Sequence, residues 1–147
     1  MAMNARRTRQ LLETSAPLLL PDERVELTSL ASVGTVSVRR QALTAIVVGV
    51  LTLGMVMATV RPRAVYVVLT NQRILFFDAN RGGKPGKLLM NMARLYVTAT
   101  AARKTFLGLK VVTHLTVQGQ EGTLKVDFPV QTRADGHVFA GALPVTR

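Results

Sequence analysis

The chain has 147 residues, and nineteen Lys and Arg against eight Asp and Glu give a formal charge of +11. That length supports one domain with a real core and hardly two, and 48% hydrophobic residues with a mean hydropathy of +0.27 exclude a disordered chain. The absence of cysteine excludes disulfides, thiol catalysis and thiolate metal sites.

Residues 1–20 open with Arg6, Arg7 and Arg9 and have only Leu11-Leu12 and Leu18-Leu19-Leu20 as apolar clusters. No long apolar run follows the arginines, so the pattern is not that of a signal peptide. It reads as a mobile basic arm with room for a short helix. Residues 21–147 read as a single domain. Pro21-Asp22-Glu23 is a start signal, and Arg24 to Leu30 alternates polar and apolar with the period of a half-buried strand. Ala31 to Val38 continues in β-branched and small residues, which also favour an extended chain.

Ala42 to Val60 follows, nineteen residues without a charge. As a helix these nineteen residues span roughly 28 Å at about 1.5 Å per residue, close to the ~30 Å hydrocarbon core of a bilayer, and the expected inserted helix is 41–60. Ala42, Ile46, Val50, Leu53, Val56 and Val60 are its expected membrane-embedded residues. Arg39 and Arg40 flank one end, and Arg61 and Arg63 the other. Ala45, Gly49, Gly54 and Ala58 supply small residues four apart, a spacing that permits helix self-association.

After Pro62 the pattern is all β. Val65–Thr70 and Arg73–Asp78 read as a hairpin around Asn71-Gln72, with Asn suited to a positive-φ turn position. Residues 81–86 form a Gly- and Pro-rich loop. Lys87–Met92, Arg94–Thr100, Leu107–Val117 and Thr123–Phe128 follow as strands. Pro129 ends the last of these, and Asp135 is placed to cap a final helix, Gly136–Leu143, with Val138, Phe139 and Leu143 on its apolar side.

Several chemistries lack the residues they need. Gly82-Gly83-Lys84-Pro85-Gly86-Lys87 is one residue short of a nucleotide-binding loop and carries Leu88 where Ser or Thr would meet magnesium. His114 and His137 have no metal-ligand spacing. No carboxylate pair and no Gly-x-Ser-x-Gly elbow is present, so neither catalysis nor a cofactor is expected. From Leu27 to Gln120 the only acid is Asp78, against twelve Lys and Arg. Such a surface attracts polyanions. A basic β-barrel binding single-stranded nucleic acid through Tyr66, Phe76, Phe77, Tyr96 and Phe106 is the alternative, although adjacent Phe76 and Phe77 cannot both face outward from one strand.

The stretch Tyr66-Val-Val-Leu-Thr-Asn-Gln-Arg-Ile-Leu-Phe-Phe-Asp78 resembles the hairpin of bacterial pleckstrin-homology-like (PH-like) and GRAM-like domains. Pro21-Asp-Glu-Arg-Val25 resembles their opening. The resemblance covers about residues 21–143. It implies a mainly β, seven-stranded, partly open barrel with a C-terminal helix, here with one hydrophobic helix inserted after the first strand. It also implies a non-catalytic binding or scaffold module. Basic residues after the first strand hold phosphates in such domains; here that connection is the long stretch Ala31–Arg63. The expected assignment is therefore a membrane adaptor at the cytoplasmic face, contacting anionic lipid or a protein partner. The expected anion-binding residues are Arg39, Arg40, Arg61, Arg63, Lys84, Lys87, Arg103 and Lys104, the last four on a single face. Three arrangements of the insert stay open: a shallow dip into the bilayer, a full span with the first strand outside the barrel, or a helix that covers the sheet and avoids the membrane.

Overall fold

A computed structural model describes residues 5–36, 63–79, 84–105, 107–119 and 123–146. Residues 41–60 lie outside them. The period-two alternation after Glu23 and the β-branched run after it form one long strand, β1 (Val25–Val36). The hairpin is β2 (Arg63–Thr70) and β3 (Arg73–Asp78), with Leu69 opposite Ile74 and Val65 opposite Asp78. Then come β4 (Leu88–Ala93), a 3-10 turn at Arg94–Tyr96, β5 (Val97–Ala99), β6 (Arg103–Thr105), β7 (Lys110–Val117) and β8 (Thr123–Phe128). Helix α1 (Ala5–Ser15) precedes the sheet and α2 (Arg133–Gly141) follows it.

The strands make one antiparallel sheet in the order β4-β3-β2-β1-β8-β7-β5, with β6 also on β7. The sheet is open, because β4 and β5 end it without pairing to each other. β1 joins its two halves. Val25–Val33 pairs with β2, and Ser32–Val36 pairs with β8. One face carries the main core, which includes Val33, Val67, Phe76, Met90, Leu115, Val126 and Phe128, closed by Phe139 and Leu143 from α2 and the segment after it. Phe128 and Phe139 meet with tilted rings 5.6 Å apart, a favourable aromatic geometry. α2 approaches closely because Gly136 has no side chain. A Cβ there would stand 2.9 Å from Phe128 Cδ1 and 2.9 Å from Val111 Cγ1. On the other face, Tyr66, Val68, Leu75, Phe77 and Ala79 form a second apolar cluster with Leu11 of α1. β2 and β3 are thus buried on both faces, which their nearly continuous apolar sequences require.

Several expectations change. The N-terminal arm contains an ordered helix, and its Leu11 is fully buried. The described sheet has eight strands where seven were expected. Arg94–Thr100 splits into a turn and a short strand, and the strand expected from Leu107 starts at Lys110, after a turn. α2 begins at Arg133, so Asp135 lies in its first turn and no side chain caps it. Asp135 instead accepts a 2.9 Å hydrogen bond from Ser29 Oγ, and Thr132 Oγ1 donates to Leu30 O at 2.8 Å. These two bonds tie the start of α2 to β1. Val138 is 56% exposed; only Phe139 and Leu143 of the three expected apolar residues face the core.

Gly136→Val should lower unfolding stability by about 1–3 kcal/mol through overpacking, as measured by denaturant titration.

Candidate functional site

The basic residues divide by what they touch. Arg73 is structural. The Glu23 side chain is fully buried, and its carboxylate receives Arg73 Nη2 at 2.8 Å, Arg73 Nε at 3.0 Å, Thr70 Oγ1 at 2.6 Å and the Leu20 N–H at 2.8 Å. Thr70 Oγ1 in turn accepts the N–H groups of Gln72 and Arg73, at 3.1 and 2.8 Å, and so shapes the hairpin turn. Arg73 Nη2 also donates to Leu18 O at 2.7 Å. Burial pushes the Glu23 carboxyl up, but the bonds from Arg73, Thr70 and Leu20 outweigh it and hold the pKa at about 2. Asn71 completes the junction from a position without positive φ. Its Oδ1 accepts the Arg24 N–H at 2.6 Å, and its Nδ2 donates to Asp22 O at 3.2 Å. The left-handed residue is Asp22, with φ 65°. The two sequence stretches that carry the PH-like resemblance therefore grip each other here.

Arg94 is a second structural cation. It bonds Glu26 Oε1 at 2.7 Å, Thr70 O at 2.8 Å and Ala142 O at 2.8 Å, just past α2. A cation beside a helix C-terminus is favourable. Arg63, expected to hold anions, pairs with Asp78 at 2.9 Å and stays half exposed.

Lys84 and Lys87 are exposed in the loop before β4. Lys84 lines an open polar depression of about 240 Å³ with Gln10, Glu13 and Thr14 of α1. The loop folds back on β3: Gly86 N–H donates to Asp78 O at 2.7 Å, and Asp78 N–H to Lys87 O at 3.0 Å. Arg103 and Lys104 lie in β6, at the other end of the strand order from β4. They are consecutive in a strand, so they project to opposite faces. The single basic face expected from Lys84, Lys87, Arg103 and Lys104 is corrected accordingly. Arg103 instead stands opposite Val112, and His114, two residues on, stands opposite Lys125. The three basic groups share a face. Burial lowers the His114 pKa, and the charges of Lys125 and Arg103 lower it further. The sequence did not single out this trio, because strand partners are invisible before the topology is known.

Arg39, Arg40 and Arg61, the membrane residues Ala42, Ile46, Val50, Leu53, Val56 and Val60, and the small residues Ala45, Gly49, Gly54 and Ala58 lie outside the described residues. Among the described residues, no helix is long and apolar enough to cross a membrane, and no group of three His, Asp or Glu is placed to hold a metal. Tyr66, Phe76 and Phe77 are buried, so they offer no base-stacking surface. Tyr96 is partly buried and Phe106 lies outside the described residues. No protein-family model and no curated protein matches the chain.

Glu23 has a depressed folded-state pKa, so its contribution is complete above the ordinary value of 4.5 and is lost as pH falls towards about 2. Glu23→Gln should cost about 3 kcal/mol at pH 7, and should flatten the loss of stability that the parent chain shows between those pH values in denaturant titrations. Arg63→Ala, which breaks a solvent-exposed pair, should change stability by less than about 1 kcal/mol in the same assay.

Proposed function

We propose that this chain is a non-catalytic PH-like module that works at the cytoplasmic face of a bacterial membrane by contacting acidic lipid. The observation that carries the reading is the antiparallel pairing of Val33 with Arg63. It places the two ends of the connection through residues 37–62 side by side on the sheet. The sequence of that connection holds the nineteen uncharged residues Ala42–Val60 between Arg39-Arg40 and Arg61. A single crossing would put β1 and β2 on opposite sides of a bilayer, which their pairing forbids. Two helical crossings need about 40 apolar residues. A connection that leaves the sheet and returns to it beside its own start supports shallow insertion, with arginines at the headgroup level on both sides.

The PH-like part of the reading is supported by three features. β1 is shared between the two halves of the sheet, α2 packs on the core side, and the opening and hairpin stretches are bonded through Glu23, Thr70 and Arg73. The net charge of +11 favours the leaflet that carries anionic lipid. A protein partner at the membrane would meet the same basic surface.

The full chain should sediment with vesicles of phosphatidylglycerol and phosphatidylcholine and ignore vesicles of phosphatidylcholine alone. At about 1 kcal/mol for each cation near an anionic surface, Arg61→Glu with Arg63→Glu should weaken sedimentation at least tenfold. A chain that stays in the supernatant with both vesicle types refutes the reading.

A further inference from the structure

A tight turn joins β6 to β7. Gly108 N–H closes it on Thr105 O at 3.1 Å. Leu107 stands at its tip, fully solvent-exposed at 103%, and Leu109 is 54% exposed. Leu107 also adopts a left-handed backbone, with φ 57°. That conformation is costly for a bulky side chain, whereas Gly or Asn takes it readily. A leucine that buries nothing and strains its own backbone contributes nothing to the stability of this turn.

The surroundings of the tip are cationic. Arg103 and Lys104 are exposed in the strand that leads into it, and Lys110, opposite Thr105, begins the strand that leaves it. Arg133 reaches across from the start of α2 and donates to Gly108 O at 2.8 Å, so a guanidinium sits at the turn itself. Asp127 faces Lys110 at 3.9 Å, and three other cations border the tip. Single exposed apolar residues are ordinary on protein surfaces. Two leucines on a strained projecting turn, bordered by four cations, match a bilayer with an anionic headgroup layer above a hydrocarbon interior.

We propose that the β6–β7 turn is a lipid-inserting tip: Leu107 and Leu109 enter the hydrocarbon of an anionic bilayer while Arg103, Lys104, Lys110 and Arg133 meet its headgroups. The proposal rests on the membrane reading above and adds a second contact, separate from the connection that follows β1.

The full chain contains no cysteine, so Leu107→Cys gives a single labelling site for an environment-sensitive fluorophore. With phosphatidylglycerol–phosphatidylcholine vesicles the label at position 107 should shift to the blue, and with phosphatidylcholine vesicles alone it should not. The double variant Leu107→Asn with Leu109→Ser should melt no lower than the parent chain, yet sediment with these vesicles at least tenfold less well, because each buried leucine is worth about tenfold or more in partitioning. If the parent chain binds and the double variant binds equally, or the 107 label keeps its aqueous spectrum, the tip is not inserted, although the membrane reading stands. If the parent chain ignores the vesicles, both fall. A blue shift without lipid that grows with protein concentration would assign the tip to contact with a second copy and overturn the lipid assignment.

Discussion

A single buried carboxylate organises one end of this molecule. Glu23 is surrounded by two nitrogens of Arg73, the hydroxyl of Thr70 and the amide of Leu20. A charged carboxylate in an apolar interior is costly unless its oxygens are fully bonded to a fixed cation and to neutral donors, and here they are. The bonds join the segment entering β1, the β2–β3 turn and the chain leaving α1. Asn71 adds backbone bonds at the same junction. From this end the β1–β2 pairing runs through one register shift between Val25 and Leu27 to Val33 beside Arg63 and to the stretch of β1 that reaches β8. The proposed membrane contact through the β1–β2 connection therefore depends on a clamp at the opposite end of the same strands.

The charge imbalance acquires a structural meaning as well. Glu23 and Asp78 are each engaged by an arginine of the sheet, and Glu26 by Arg94 of the turn after β4. These three acids are thus used where they join elements, while Arg103 and Lys104 on β6 stay exposed. A surface of this kind favours anionic partners through long-range steering as much as through contact, and its action weakens as salt shortens the reach of the field.

The β-rich class, the β2–β3 hairpin, β8 and the C-terminal helix were legible because each carries a local signal: alternation, a two-residue turn, or a proline stop. Glu23 and Arg73 were legible only as fragments of a resemblance, since nothing in one dimension says that a residue before β1 will grip the start of β3. The N-terminal helix was underestimated because Leu11 has few apolar neighbours in its own segment; its burial comes from Tyr66, Phe77 and their cluster on the sheet. Asp135 looked like a helix cap, but helix α2 starts earlier and Ser29 takes the carboxylate. The grouping of lysines and arginines failed for a similar reason. Lys87 and Arg103 are near in sequence, but the strand order sends them to opposite ends of the sheet. Leu107, read as the first residue of a strand, proved to be the apex of a turn, because Gly108 and the closing bond to Thr105 bend the chain there.

The sharing of β1 between two halves of the sheet also orders events during synthesis. β1 to β4 emerge from the ribosome as neighbours in sequence and can pair as they appear. The second edge of β1, from Ser32 to Val36, has no partner until Thr123–Phe128 has been made. Until then it is an unpaired strand edge, the kind of surface on which chains associate wrongly. β8 closes that edge, so the nascent chain depends on residues 123–128 to become safe from this kind of aggregation.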